Sequence, residues 1–500
     1  MNIQKILKES IWIYAFVFIG AVAGYFVRVL YARNFTVAEY GLFYAVFSFI
    51  FLFRPLREFG LSASQIFYMN RSLTKTEYAK SKGVFVITLG SQIALSFIVA
   101  SIIFAFRNHL ARYFFKDPIA SAVISFMLVY FILHLLVYNM SNMFGSFQKH
   151  FLFQLRDPLI IIFVLVFSLI FFKLDYRILT MPLAHLFAGA AALVLYFLFY
   201  KIGLKELKVK AQYDWKTTKE VFVYGFAMSI GSFAWVILSY LHTTLLTWMK
   251  GLESVGYYNV ILPSVQVIFL MTNPALNLLF PIATNLFHSE KKQELSALLS
   301  MIYNNFLIFT LPMAAMVFIF SGQIINFIFG SKYLAVTTAL KIYLVFWIFI
   351  FLRQVNLVFL ASIGEAKYSS KMLWIEVIFN VVAAVILIKL FDYTGSVFAA
   401  GFGAILITML TYSFLRKKIA IKIDYWQQLK ILIAGALFML VAMYLEDKLF
   451  ITIGKLSVFA EGLLVLLISG IVYLSALVVM KVVTKPKVMY AKKLMFGNAL

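Results

Sequence analysis

Stretches of about twenty apolar residues recur along the whole chain, separated by short segments rich in lysine and arginine. A helix needs about twenty residues to cross a hydrocarbon core of about 30 Å. Read at that length, the pattern predicts about fourteen transmembrane helices. The first six are Ile11–Ala32, Gly41–Leu61, Val84–Phe106, Ile119–Asn142, Leu159–Phe172 and Ile178–Tyr200. The next six are Val221–Leu246, Gly256–Ile282, Met301–Phe320, Ala339–Ala361, Met372–Phe391 and Ser396–Leu415. Ile431–Leu445 and Val458–Met480 complete the set. No loop between them is long enough to fold as a separate domain.

Composition agrees with that pattern. The 500 residues are 63% hydrophobic and 13% charged, where a soluble chain carries about 25% charged residues. The net charge of +24 could point to nucleic acid, but the cations sit in short loops between apolar spans. Most fall in segments that a cytoplasmic N-terminus places inside, notably Lys201–Lys219, Arg416–Lys430 and the stretch from Lys481. This is the positive-inside bias of a membrane protein, and it predicts cytoplasmic termini in a plasma (inner) membrane, with basic loops against anionic lipid. The first ten residues are polar and lightly basic, so Ile11–Ala32 reads as a signal anchor. The chain has no cysteine, and its six histidines show no metal-ligand spacing. HExxH, Walker A and GxSxG motifs are absent, which leaves no expected cofactor, metal or ATP hydrolysis and predicts a non-enzyme.

Chemistry enters where charge interrupts the spans. Arg28, Arg54, Arg57 and Arg353 fall inside them. A charge at mid-bilayer depth costs about 2.5–3.5 kcal/mol even on the lenient insertion scale, so such residues face protein, water or a charged ligand. On one helix, Arg54, Glu58, Ser62 and Gln65 would share a face with Arg57 beside it, and Pro55 predicts a kink there. These arginines are candidate anion-binding residues; snorkelling or a local ion pair such as Arg54–Glu58 is the plainer alternative. Glu58 and Glu376 are candidate ion-coupling carboxylates. Arginines beside Glu58 would keep it ionised, so Glu376, with no charged neighbour in sequence, is the better proton carrier. His242 titrates in the useful range and joins them as a candidate, while His134 and His185 read as hydrogen-bonded structure. Asn273, Asn277, Pro281 and Asn285 form a polar seam along the eighth span, lining a path or bonding neighbouring helices. Asn34-Phe35-Thr36 matches a glycosylation sequon and reads as a chance match.

The chain also echoes itself. Glu39-Tyr40-Gly41-Leu42-Phe43 returns as Ser254-Val255-Gly256-Tyr257-Tyr258, and Phe115-Lys116-Asp117 as Phe329-Gly330-Ser331-Lys332. Gly145-Ser146-Phe147-Gln148-Lys149 resembles Gly364-Glu365-Ala366-Lys367. The common offset of about 215 residues, about six helices, fits a parallel transporter repeat. The expected organisation is an N-terminal lobe over 1–210, a C-terminal lobe over 211–420, and an added helix pair with a basic cytoplasmic tail over 421–500.

These residues carry a family resemblance. The run from Arg28 through Glu39-Tyr40-Gly41-Leu42-Phe43 to Glu58-Phe59-Gly60-Leu61 resembles the opening helices of the oligosaccharide flippases. That family sits within the multidrug/oligosaccharidyl-lipid/polysaccharide exporter superfamily. The Glu253–Tyr258 stretch, Phe329-Gly330-Ser331-Lys332-Tyr333, and Asn380 followed by Asp392-Tyr393-Thr394-Gly395-Ser396 are similar to later family junctions. The resemblance implies an all-α membrane protein with two six-helix lobes and two added helices around a central cavity, moving by alternating access. It implies a polyprenyl-diphosphate-linked oligosaccharide as cargo, flipped from the cytoplasmic to the outer leaflet for surface polysaccharide such as the O-antigen of lipopolysaccharide. Membrane lipids, a proton or sodium ion as coupling ion, and polysaccharide assembly proteins are the implied partners. Where the family often carries an aspartate late in the seventh helix, this chain has His242, which puts that coupling role in doubt. Arginine suits the anionic headgroup, since its planar fork binds phosphate in a bidentate way and stays charged.

Three rival readings compete. A cation-coupled extruder of drugs or metabolites would share the fold, but its cavity should be acidic where this second span is rich in arginine. A membrane glycosyltransferase, polymerase or ligase would need a large external loop, and none is present. A non-transporting scaffold leaves the intramembrane charges without a purpose.

Overall fold

The computed structural model describes the backbone of residues 3–449 and 455–484, with the side chains of 3–11, 13–14, 266–275, 277–278, 449 and 455–461 outside the description. Among the described residues every regular element is helical and there is no strand. The first ten α-helices are α1 (Ile3–Asn34), α2 (Val37–Leu52), α3 (Arg54–Glu58), α4 (Leu61–Leu73), α5 (Tyr78–Ala105), α6 (Arg107–His109), α7 (Ala120–Ser146), α8 (His150–Gln154), α9 (Arg156–Lys173) and α10 (Thr180–Gly203). They are followed by α11 (Trp215–Met249), α12 (Leu252–His288), α13 (Lys292–Ile319), α14 (Ser321–Ile328), α15 (Thr337–Ser362), α16 (Ala366–Lys418), α17 (Tyr425–Leu449) and α18 (Lys455–Val479).

Eleven segments of the described residues are long and apolar enough to cross a membrane. The remaining expected spans are accounted for by three details. α16 holds two spans, because Asp392 (φ 54°, ψ −138°) interrupts its 53 residues. α9, at 18 residues, carries Arg156, Asp157 and Lys173 at its ends, and the 37-residue α12 covers the eighth span. The helical fold class read from the sequence holds.

Of the Val37–Glu58 span 56% is buried, against 28% for α5, so this span is the centre of its bundle rather than a lipid-facing wall. It starts at a capping box: the Thr36 side chain accepts from Glu39 N–H, and the Glu39 carboxylate accepts from Thr36 N–H. That use of Thr36, with Asn34 Nδ2 donating to Leu30 C=O, accounts for the sequon as helix-end structure. The expected kink at Pro55 is present: α2 ends at Leu52, Phe53 (φ −85°, ψ 0°) leaves the helix, and α3 starts at Arg54. Pro55 stands in the first turn of α3, where a missing N–H costs nothing. A second, sharper break comes four residues later, where Phe59 (φ 44°) and Gly60 (φ 68°) are both left-handed. α11 crosses there closely: a Cβ on Gly60 would lie 1.9 Å from Gly225 C=O. Consequently Arg54, Glu58, Ser62 and Gln65 do not form one continuous helical face.

The chain divides into two compact units. The first runs to Asn259 and includes Ala384–Tyr393; the second takes Val260–Ala383 and Thr394 onward. In the first, α2 packs on α7 and α11, α4 on α5, α7 and α11, and α1 and α10 on α9. The loop ahead of α11 docks on α5 through Gln212 N–H to Ala79 C=O (2.9 Å) and Lys82 Nζ to Val209 C=O (2.8 Å). Asp214 then caps α11; hydrogen bonds from the Thr217 hydroxyl and N–H hold its carboxyl below the usual range. In the second unit, α13 packs on α15 and α17, and α17 on α18, around Leu307, Ile308, Ile431, Phe438 and Tyr473.

The internal repeat is visible in the turns. Left-handed residues recur about 215 positions apart at Thr76 and Glu290, Gln148 and Gly364, and Asp175 and Asp392. So do hydrogen bonds that close wide turns. Phe115 N–H to Leu110 C=O is matched by Gly330 N–H to Ile325 C=O, and Lys149 N–H to Phe144 C=O by Glu365 N–H to Leu360 C=O. The echoed glycines also meet. A Cβ on Gly41 would lie 1.8 Å from Leu252 C=O, and one on Gly256 2.2 Å from Val37 C=O. The two helix starts therefore cross reciprocally with no room for a side chain.

Gly60→Ala tests this packing. A left-handed non-glycine residue costs about 1–2 kcal/mol, and the clash with Gly225 adds to it. The variant should melt well below wild type in detergent. Gly90→Ala, which meets no atom within 4 Å inside α5, should be neutral or slightly stabilising. Equal melting of Gly60→Ala and wild type would remove the crossing as a constraint.

Candidate functional site

The arginine cluster is assembled by the break after α3 and by one stripe of α7. Tyr130, His134 and Tyr138 stand one turn apart on α7, with the His134 and Tyr138 rings near parallel at 6.3 Å. Three guanidiniums rest against this stripe. Arg57 is fully buried; it donates to Phe131 C=O and meets His134 Nδ1 at 3.1 Å. Arg54 lies over Tyr138 at 5.1 Å and donates Nε–H to Glu58 at 2.6 Å. Arg156, the first residue of α9, lies over the same ring at 4.3 Å and is held by Asp157 through two hydrogen bonds of 2.7 Å.

The surrounding polar side chains fix this arrangement. Gln92 Nε2 donates to Glu58 C=O (3.2 Å) and to Ser62 Oγ (3.3 Å), tying α5 to the break. Gln65 Nε2 donates to Asn139 C=O (3.0 Å), tying α4 to α7. Glu58 also lies 3.7 Å from Arg57. Three cations thus share two carboxylates, so the cluster keeps a positive excess in a low-dielectric setting, where electrostatic attraction for an anion is strong. Exposure separates the members: the Arg54 side chain is 26% exposed and Arg156 15%, while Arg57 is closed off. Arg57 cannot reach a ligand in this arrangement; it holds α3 to α7.

The other sequence candidates lie elsewhere. Arg28 sits over Tyr44 at 4.8 Å and donates to Asn259 C=O at 3.4 Å. Arg28 touches none of the cluster directly, but the Tyr240 side chain stands within electrostatic reach of Arg28 and of Arg54, Arg57 and Glu58. His242 is buried beside the Tyr258 ring. In the second unit Glu376 is buried and paired with Arg353 across two helices. It has a charged partner that its sequence neighbours do not reveal, although its Oε2 lacks a hydrogen-bond partner. One turn along α15, Asn356 accepts from Tyr303 (2.6 Å) and donates to Thr411 (2.9 Å), a buried polar link that sequence reading missed. The side chains of Asn273 and Asn277 lie outside the described residues, and Asn285 is exposed.

Tyr138, Arg156 and Asp157 were also missed. Arg156 and Asp157 stand before Pro158, ahead of the span expected to start at Leu159, and so read as loop. His134, read as plain structure, does hold structure, yet it holds an arginine of the cluster. Asp157 and His134 further line a pocket of about 430 Å³ with Tyr130, Gln154 and α1 residues Val17 and Gly20. Among the described residues no group of histidines and carboxylates could hold a metal.

This architecture is shared with known proteins. The chain is 28% identical over 460 residues to an uncharacterized membrane protein of Methanocaldococcus jannaschii, covering 89% of this chain and 90% of that protein. Its fold is similar to lipid II flippase MurJ in an inward closed conformation, with a TM-score of 0.73 at 15% identity over 94% of this chain and 100% of that one. It is also similar to an inward-facing multidrug resistance transporter of the MATE family, with a TM-score of 0.62 at 14% identity over 80% of this chain and 94% of that one. The polysaccharide biosynthesis protein family matches residues 6–287. The resemblance carried by the helix junctions holds: the chain belongs to the polysaccharide biosynthesis protein family.

Proposed function

We propose that this protein is a flippase that carries a polyprenyl-diphosphate-linked oligosaccharide from the cytoplasmic to the outer leaflet by alternating access, for surface polysaccharide assembly. The observation that carries the reading is the Arg54–Glu58–Arg57 cluster, a largely buried cationic site at the end of the Val37–Glu58 span in a chain of this family. A diphosphate headgroup crosses a bilayer only if its charge is offset, and guanidinium offsets it at any relevant pH. Likeness to a lipid II flippase supports the same direction, since that protein moves a lipid-borne cargo.

In this reading Arg28 and Arg54 contact the headgroup and Arg57 positions Arg54, while Arg353, Asn273 and Asn277 are the second unit's own substrate-binding candidates. Residues 1–210 and 211–420 act as the two moving lobes, with 421–500 as an added pair, in an inner membrane with cytoplasmic termini. A proton or sodium ion drives the cycle through Glu376, Glu58 or His242, and polysaccharide assembly proteins supply and receive the cargo. The likeness to multidrug transporters favours one second reading, a cation-coupled extruder. The cationic excess beside α7 opposes it, because organic cations would be repelled there.

Leaflet-resolved measurement of lipid-linked oligosaccharide in cells with and without this gene tests the proposal. Loss of the gene should trap the lipid on the cytoplasmic face, and the joint Arg54→Ala and Arg57→Ala variant should do the same while remaining in the membrane. An unchanged distribution in a strain without a second flippase moves the weight to the extruder. Glu376→Gln mimics the protonated acid and should flatten the dependence of transport on external pH. Because removing one partner of a buried pair costs about 3–5 kcal/mol, its membrane level is measured in parallel. An unchanged pH profile at normal level assigns Glu376 to structure alone. Single cysteines at Asn273, Asn277 and Asn285 in this cysteine-free chain should label from water if they line the path; protection of all three assigns them to helix packing.

A further inference from the structure

Arg54 and Arg156 reach the same tyrosine from elements about a hundred residues apart in sequence. Their guanidiniums lie 5.1 and 4.3 Å from the Tyr138 centroid. Two cations placed this close repel each other unless something offsets them. Here each is offset separately, Arg54 by Glu58 and Arg156 by Asp157, and both lie against the π-system of one ring. The carboxylates take particular edges of the two forks. Arg54 gives its Nε–H to Glu58; Arg156 gives Nε–H and an Nη2 donor to Asp157 and an Nη1 donor to Ser141 Oγ at 3.3 Å. A guanidinium has five N–H donors, so both retain donors, and both side chains are partly exposed. Arg57 differs in exposure: it is closed off, with its Nη groups on Phe131 and His134 and its Nε–H buried without a partner.

A single phosphate is satisfied by one bidentate arginine. Two oriented guanidiniums flanking one ring match two linked phosphates. We infer that Arg156, seated on Tyr138, is the second guanidinium of a diphosphate site that begins at Arg54. The inference rests on the flippase reading and adds to it a residue and a discrimination: the site distinguishes diphosphate from monophosphate headgroups. Tyr138 is a positioning residue, and its ring rather than its hydroxyl does the positioning.

The test uses the full chain in lipid nanodiscs, with farnesyl diphosphate and farnesyl monophosphate as probes. Wild type should bind the diphosphate more tightly. Arg156→Ala should weaken diphosphate binding about ten- to hundredfold, as expected for losing one charge-assisted pair, while monophosphate binding through Arg54 changes little. Tyr138→Phe should bind as wild type does, and Tyr138→Leu should follow Arg156→Ala. Should Arg156→Ala misfold, Arg156→Lys and Tyr138→Leu carry the test, with melting temperature measured alongside. Displacement by inorganic pyrophosphate supports an anion site that recognises the headgroup alone. Failure of displacement with Arg156 dependence retained supports a site that requires the lipid-borne form. Undiminished diphosphate binding by folded Arg156→Ala overturns the inference and leaves the flippase reading standing; a wild type that binds neither probe removes both.

Discussion

Burying guanidinium in a bilayer is the constraint around which the first unit is arranged. Arg57 has no route to water, so its charge must be met by protein. Phe131 C=O, His134 and Glu58 do this, presented by two local devices. The carbonyl and the imidazole come from one face of α7. The carboxylate comes from the turn that the break at Phe59 and Gly60 ends. The break in turn requires α11 to approach at Gly225, where no side chain fits. Glycine pair, helix break, carboxylate and arginine therefore form one chain of dependence that runs from backbone packing to charge. Only after Arg57 is satisfied does Arg54, one turn earlier, have a fixed place from which to expose its remaining donors.

The repeat sharpens this point. Left-handed turns and wide-turn hydrogen bonds recur in both halves, so the turns are duplicated down to single residues, although the break at Phe59 and Gly60 has no counterpart in the unbroken α12. The charges are not duplicated. Arg353 falls at or within one residue of the position that Tyr138 holds on the first copy. Where the first half places an aromatic ring for arginines to rest on, the second places an arginine that pairs with Glu376. Equivalent backbone positions thus carry opposite parts of the same kind of interaction. Turn residues are held in common because the bilayer dictates helix length and reversal in both halves. Side chains inside the bundle answer to local partners and have diverged.

This division explains what was legible in the sequence. The spans were, because apolar length is a direct demand of the membrane; even α9 and the doubled α16 were found this way. The repeat was legible through glycines and Phe-Gly-Ser-Lys turns, whose spacing survives because strained or crowded backbone positions admit few residues. The interruption at Pro55 was legible, since proline lacks the N–H a continuous helix needs; the second break at Phe59 and Gly60 was not, because a lone glycine inside an apolar span does not announce a left-handed turn. Partners across helices were not legible. Nothing in the order of residues links Tyr138 to Arg156, or Arg353 to Glu376, because those pairs depend on how helices rotate about their axes. Hydropathy leaves that rotation open in spans that are apolar on nearly every face.

Repeated turns with unrepeated charges also bear on the choice between transporter types. The helical framework is shared, at low identity, with a lipid II flippase and with multidrug transporters, so it does not by itself select a cargo. Selection falls to the sign and placement of the few charges the framework tolerates. In this chain the charges of the first unit gather at one stripe of α7, where cations outnumber acids and the two partly exposed guanidiniums face the same ring. Each carboxylate there is bound to an arginine and a third arginine is left over, so the net charge of the cluster opposes a cationic drug. An anion meets the opposite situation, with free N–H donors held in place before it arrives. In the flippase reading proposed above, a preference for anionic cargo rests on this pairing pattern, and it lasts for as long as Glu58 and Asp157 remain tied to their own arginines.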